Sequence, residues 1–168
     1  MPNTTGYCEA KMEVCQSPET AVARASSDIP CLFPASRISE RVEELAREIS
    51  ADYADQSIMV VGVLHGAYVF MADLVRHLTI PVRCGFVMAS SYGHNTVTSG
   101  QLALHLDLIH PAKGEHLLLV DDIVDTGTST AWLIDHLRQK DPASIRLCTL
   151  LDKPSRRRVP VTIDYTGF

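Results

Sequence analysis

Paired cysteines are missing from this sequence. Its five cysteines, Cys8, Cys15, Cys31, Cys84 and Cys148, are odd in number, widely spread and free of any Cys-x-x-Cys spacing. That excludes a zinc ribbon or a dithiol redox centre and reads as reduced thiols in a cytoplasmic protein. No run approaches the roughly 18 continuous apolar residues of a membrane span, and no basic segment followed by an apolar one opens the chain. Neither membrane insertion nor export is expected. An excess of positive charge is missing too: 15 Lys and Arg stand against 20 Asp and Glu, a net charge of −5. This disfavours a protein whose task is to neutralise nucleic acid or an anionic membrane. Internal repeats and low-complexity tracts are absent. What remains, 168 residues at 46% hydrophobic and 21% charged, is the balance of one globular domain. Such a chain buries roughly 68–70% of its unfolded surface and needs no staples.

Residues 1–36 hold Pro2, Pro18, Pro30 and Pro34, scattered Ser and Thr, and no apolar period; they read as a disordered extension, with the domain over 37–168. From Ser39, taken as an N-cap with Glu40 in the first turn, Val42, Leu45, Ala46, Ile49 and Tyr53 recur at helical spacing. The apolar run 58–64 suits a strand covered on both faces. Phe70, Met71, Leu74, Val75 and Leu78 form a helical stripe that stops before Pro81, and a strand-like run follows over 82–89. Residues 90–101 are polar, hydroxyl-rich and carry two glycines, so they read as a long mobile loop. Residues 102–108 alternate as a half-exposed strand does, 117–120 form another apolar strand, and Leu133, Ile134 and Leu137 mark a helix. Strands also fit 145–151 and 159–165. Trp132 and the other helical aromatics read as core. Alternating strands and helices of these lengths predict an α/β fold, an open and mainly parallel sheet flanked by helices. Ligands in such sheets bind beyond the carboxyl ends of the strands, which singles out Leu64-His65-Gly66 and the turn over 121–129.

That turn gathers three carboxylates, Asp121, Asp122 and Asp125, with the hydroxyls of Thr126, Thr128, Ser129 and Thr130 around one strand-to-helix junction. A helix N-terminus offers unpaired N–H groups and a partial positive charge to a phosphate, and Gly127 lets the main chain approach it closely. Carboxylates at the same turn repel a phosphate unless they address ribose hydroxyls, a divalent cation or an acidic proton. A sugar phosphate with a metal meets all of these demands. Helix capping and loop solvation account for one such aspartate, not for three beside so apolar a strand.

Four apolar positions, two acids, two apolar positions and Asp-Thr-Gly-x-Ser/Thr resemble the phosphoribosyl-pyrophosphate motif of phosphoribosyltransferases. Gly62-Val-Leu-His-Gly-Ala67, Ser90-Ser-Tyr-Gly93, Val120-Asp-Asp-Ile-Val-Asp-Thr-Gly127 and Leu150-Leu-Asp-Lys-Pro-Ser-Arg-Arg157, in that order, are similar to the hypoxanthine(-guanine) phosphoribosyltransferase family. The resemblance runs over 38–168 and implies the type I fold of that family. It implies transfer of ribose 5-phosphate from phosphoribosyl pyrophosphate to a ring nitrogen of a 6-oxopurine in purine salvage, with Mg2+ on the pyrophosphate and ribose oxygens. It further implies a homodimer or homotetramer.

By the same resemblance Asp125 is the general base at the purine N7 proton, while Asp121 and Asp122 hold the ribose hydroxyls and lie close to the metal. Thr126, Gly127, Thr128 and Ser129 cradle the 5′-phosphate, and Leu64, His65 and Gly66 form the pyrophosphate loop, whose backbone in relatives often contains a cis peptide. Lys153 donates to the exocyclic purine oxygen, an ammonium that is costly to leave unpaired in a closed site. Ser91 and Tyr92 match the mobile loop that closes over substrate and excludes water. Arg157 either braces the lysine's loop or belongs to a solvated basic run with Arg156 and Arg158.

The departures are specific. Asp121 and Ser129 stand where many relatives carry Glu and Thr. His65 replaces a Lys or Arg, which predicts weaker and more pH-sensitive pyrophosphate contact unless only the backbone matters. After Phe168 the segment that in relatives supplies a purine-stacking aromatic and a further metal-side acid is not present. Stacking contributes roughly 1–3 kcal/mol per base, so weak purine binding is expected. A fragment, a short gene product of low activity and a non-catalytic nucleotide-sensing protein all fit that ending. Asp125-Thr-Gly also matches the aspartic protease signature, but those enzymes are all-β and pair two such aspartates. A metal site from His105, Asp107 and His110 competes with simple strand-face polarity, which the alternation favours.

Overall fold

The apolar run after the first helix forms the centre of the molecule because both of its faces are covered. In the computed structural model, which describes residues 30–91 and 102–168, Phe33–Phe168 form one unit holding every helix and strand among the described residues. In chain order these are α1 (Ala35–Asp52), β1 (Ile58–Val63), α2 (Tyr68–His77), β2 (Val82–Ser91), β3 (Leu102–Leu106), β4 (His116–Val124), α3 (Thr128–Arg138), β5 (Ser144–Asp152), a 3-10 turn (Pro154–Arg156) and β6 (Tyr165–Thr166). The strands lie in the order β3-β2-β1-β4-β5-β6. Every pairing is parallel except β2 with β3.

Alternation along the two central strands sorts side chains between two cores. Ile58 and Val60 of β1 and Leu118 and Val120 of β4 face α1 and α2, where Leu45, Ile49, Phe70 and Leu74 are buried. Met59, Val61, Leu117 and Leu119 face α3, against Leu133 and Leu137. Each of these leucines contributes about 2–5 kcal/mol relative to alanine when fully buried. The chain leaves β1 toward β2 and leaves β4 toward β5. The crevice between the carboxyl ends of β1 and β4 is therefore the switch point of the sheet.

Several expectations are corrected here. Helix α1 starts at Ala35, ahead of the predicted Ser39 cap: Pro34 holds the entry with φ −68° and ψ 153°, and Ile38 packs on the core. Of the expected extension, residues 1–29 lie outside the described residues. Ser90 and Ser91 belong to β2, opposite Ala103 and Leu102, and not to the loop; the rest of that loop lies outside the described residues. Strand β4 continues through both acids to Val124, because its ladder with β5 continues to Asp152. The predicted strand over 159–165 shrinks to the two residues of β6. Pro160 has no N–H to give a ladder, Val161 and Ile163 pack on the α3-side core, and Asp164 Oδ2 accepts the Leu147 N–H (2.8 Å). Arg41 of α1 covers the resulting edge by donating to the carbonyls of Thr166 (2.7 Å) and Gly167 (3.2 Å). No described helix is long and apolar enough to cross a membrane.

Candidate active site

The carboxyl end of β4 carries the two adjacent acids. Asp121 follows Leu117 and Leu119 onto the α3 side, 8% exposed, where Thr130 Oγ1 of α3 donates to its Oδ2 (3.3 Å). Burial, and then the neighbouring Asp122 carboxylate, push Asp121 up to about 7. Asp122 lies against the turn after β1: a Cβ on Gly66 would lie 2.4 Å from Asp122 Oδ2. Only a residue without a side chain fits there, so the turn and the acid sit in direct apposition. That turn contains a cis peptide between Leu64 and His65, as the resemblance implies, and Leu64 N–H donates to Val87 O (2.8 Å). His65 and Gly66 are exposed.

Beyond Val124 the chain turns through Asp125, Thr126 and Gly127 into α3. Gly127 adopts φ +79°, the left-handed region. Three successive carbonyls of this turn face the segment after β5: Val124 O accepts from Lys153 N (3.0 Å) and Thr126 O accepts from Arg158 N (2.9 Å) and Val159 N (3.1 Å). Between them, Asp125 O accepts from Arg157 Nε (3.2 Å). Because a trans peptide points its N–H opposite its C=O, the amides of Asp125, Thr126 and Gly127 are turned away from that segment. Successive amides beside a helix N-terminus make an anion-binding concavity. Thr128 and Ser129 open α3 and are exposed, and Thr126 Oγ1 accepts from Thr128 N–H (3.4 Å).

Asp125 lies 3.3 Å from Arg156 Nε. The pair lacks hydrogen-bond geometry, so Asp125 Oδ1 is buried without a hydrogen-bond partner. Lys153 is exposed where β5 gives way to the 3-10 turn. Arg157 settles the choice that the sequence leaves open: its side chain is inside the loop system, bound to Val124 O (3.2 Å), Asp125 O and Asp152. It is not part of a solvated run. Ser91 closes β2, and Tyr92 lies outside the described residues. The structure thus brings together residues 64–66, 121–129, 153 and 157 at one edge of the sheet.

Thr130, one of the four hydroxyls that the sequence gathers at this turn, is buried and holds Asp121, a role the sequence did not assign to it. Ile123 is 39% exposed between Asp122 and Asp125, an apolar side chain at the crevice that passes in sequence for one more strand residue. The competing readings find no support in the geometry. The Asp-Thr-Gly turn joins a parallel strand to a helix, unlike the all-β setting of aspartic proteases. Asp107 binds His136 (3.1 Å) and Lys140 (2.6 Å), His105 meets Ser90 Oγ (2.7 Å), and no group of three metal-ligating side chains gathers among the described residues. A groove of about 380 Å³ lies between α3 and residues 159–164, lined by Ala131, Ile134, Leu147, Val159 and Val161.

Compared with known proteins, the chain matches the phosphoribosyl transferase domain family over residues 32–168. It is similar to the hypoxanthine phosphoribosyltransferase of Haemophilus influenzae, 40% identical over 143 residues that cover 83% of this chain and 80% of that protein. It is also similar to the hypoxanthine-guanine phosphoribosyltransferase of Bacillus subtilis, 37% identical over 137 residues that cover 82% and 76%. Among solved structures, a hypoxanthine-guanine phosphoribosyltransferase from Bacillus anthracis superposes with a TM-score of 0.79 at 40% identity, covering 83% of each chain.

Proposed function

The chain belongs to the phosphoribosyl transferase domain family, and from that premise we propose that it transfers the 5-phosphoribosyl group of phosphoribosyl pyrophosphate to hypoxanthine. Guanine is the second acceptor. The products are the nucleoside monophosphate and pyrophosphate, and the role is purine salvage. The observation that carries this reading is the apposition of Gly66 and Asp122, which joins a pyrophosphate-type turn to an acidic, phosphate-type turn at the sheet's switch point.

In this reading the amides of residues 125–127 and the hydroxyls of Thr126, Thr128 and Ser129 bind the 5′-phosphate. Asp121 and Asp122 accept hydrogen bonds from the ribose hydroxyls, and the backbone of Leu64, His65 and Gly66 binds pyrophosphate. Lys153 donates to the 6-oxo group, and Ile123 offers an apolar surface to the ring. Asp125 accepts the proton that leaves the purine ring as a ring nitrogen bonds to the anomeric carbon and pyrophosphate departs. Its Oδ1, buried without a hydrogen bond and facing only the Arg156 guanidinium, suits that task. Ser91 and Tyr92 belong to the segment assigned to closure over the site.

Two adjacent carboxylates, one of them buried, are a donor set that suits a hard divalent cation. Asp121 and Asp122 would hold Mg2+, with water and substrate oxygens completing its shell. When bound, the ion supplies charge neutralisation on the leaving pyrophosphate. A cytoplasmic homodimer or homotetramer is part of the same proposal.

The test is nucleotide formation from hypoxanthine, guanine and xanthine with phosphoribosyl pyrophosphate and Mg2+, for the parent and Asp125→Asn. A positioned base contributes about 100-fold to 10,000-fold. We expect kcat to fall at least that lower amount, with the KM for phosphoribosyl pyrophosphate little changed. Equal turnover in the two proteins would remove Asp125 from the mechanism, and no turnover in the parent would remove the proposed reaction.

A further inference from the structure

Two segments of the site converge on one guanidinium. Arg157 follows the 3-10 turn and is 17% exposed; its Nη2 pairs with Asp152 and also donates to Val124 O (3.2 Å), while Nε donates to Asp125 O (3.2 Å). Asp152 ends β5 directly opposite Val124 in the parallel ladder and is 26% exposed. The same Val124 carbonyl accepts Lys153 N–H (3.0 Å). The Arg157 stem lies under the phosphate turn, its Cδ 2.9 Å from where a Cβ on Gly127 would be. The neighbours on either side do not share this position. Arg156 is exposed beside the Asp125 carboxylate, and Arg158 contributes its backbone N–H to Thr126 O.

We infer that the Asp152–Arg157 pair is a positioning clamp: it fixes the distance between the turn that carries Lys153 and the turn that carries Asp125, so that purine recognition and proton removal are set as one unit. The clamp rests on the roles proposed above for those two residues, though the structure supplies it independently of them. The planar guanidinium explains why the position needs Arg. One fork reaches two carbonyls and a carboxylate at once, whereas a lysine ammonium on a flexible stem keeps the charge and loses the geometry. Neither residue touches substrate, so both are positioning residues.

The test uses the full chain with Arg157→Lys and the milder Asp152→Asn, which keeps an acceptor of the same shape and removes its charge. Amide hydrogen exchange on the free protein reads the clamp itself. Faster exchange in both 124–129 and 153–159, with α1 unchanged, is expected; unchanged exchange in those segments for both variants overturns the clamp. Steady-state kinetics read its purpose. For Arg157→Lys, kcat/KM for hypoxanthine is expected to fall at least about tenfold, more than kcat/KM for phosphoribosyl pyrophosphate, and selectivity against adenine to decline. In a Lys153→Ala background the same substitution is expected to cost less than about threefold in the hypoxanthine term, since groups that act through one another are not additive. Equal losses in both backgrounds overturn the coupling to purine recognition and leave a merely structural brace. If the parent neither turns over nor binds inosine monophosphate in calorimetry, the proposed function fails, while hydrogen exchange still decides the clamp.

Discussion

Gly66→Ala separates crowding at the reactive edge from stability of the fold. A Cβ at this position would lie 2.4 Å from Asp122 Oδ2 and 2.5 Å from its Cγ and Oδ1, whereas ordinary contact begins near 3.4 Å. The carboxylate therefore has to withdraw by about 1 Å, and a misplacement of that size costs about 100-fold in a well-oriented site. We expect kcat/KM for phosphoribosyl pyrophosphate to fall about 100-fold, or roughly 2.7 kcal/mol. Gly66 does not adopt a left-handed φ, so alanine stiffens the unfolded chain without backbone strain and the free energy of unfolding should change by less than about 1 kcal/mol. Urea unfolding and steady-state kinetics on the same samples check both halves. In an Asp122→Ala background the obstructing group is gone, and Gly66→Ala should then cost less than about threefold. A full 100-fold loss in that background, or a parent-like kcat/KM for the single variant, refutes the argument.

Gly127→Ala should act on stability instead: the left-handed φ of +79° costs about 1–2 kcal/mol for a side chain. The new Cβ would also meet Val159 O at 2.5 Å, a backbone atom that cannot swing away, adding about 1–3 kcal/mol. Urea unfolding should show a total loss of about 2–5 kcal/mol. Asp121→Asn should stabilise the metal-free protein in a pH-dependent way. Burial raises this carboxyl to about 7, so the native state binds its proton more tightly than the unfolded chain does. The parent has the full benefit below about pH 4 and loses it as pH rises through 7, up to roughly 4 kcal/mol. The advantage of the neutral variant should therefore grow from pH 4 to pH 7 in denaturant titrations; an advantage that shrinks over that range contradicts the burial argument. Thr130→Val removes the hydroxyl that donates to Asp121 and should cost about 1–3 kcal/mol near neutral pH, measured the same way.

Local pattern was enough for the elements whose side chains decide their own burial. The run of β1, the stripe of α1 and the apolar part of β4 carry their period in sequence, and the Asp-Thr-Gly turn carries its own glycine. What escaped depends on partners distant in the chain. Acids disfavour strands, so β4 reads as ending at Val120; the ladder to β5 carries it on to Val124. Residues 159–165 have an alternating pattern but serve as packing, with Val159 N–H donating to the acidic turn, a use that no period encodes. Three consecutive arginines are alike as text, and only the 3-10 turn decides that Arg157 goes inward while Arg156 stays at the surface.

The same long-range contacts resolve the difficulty that composition raises, an acidic chain whose proposed anion site contains three aspartates. Asp121 is held by Thr130, and Asp122 lies against the turn after β1. Residues 153–159 occupy the carbonyls of Val124, Asp125 and Thr126, and each carbonyl held there turns the following N–H outward. With those carbonyls left to solvent, the turn would present mixed dipoles and three negative charges to a phosphate. With them held, it presents amides and the N-terminal end of α3. Anion affinity at this edge is therefore a property of the contact between two segments, and loosening residues 153–159 should weaken phosphate binding without altering any residue that touches it.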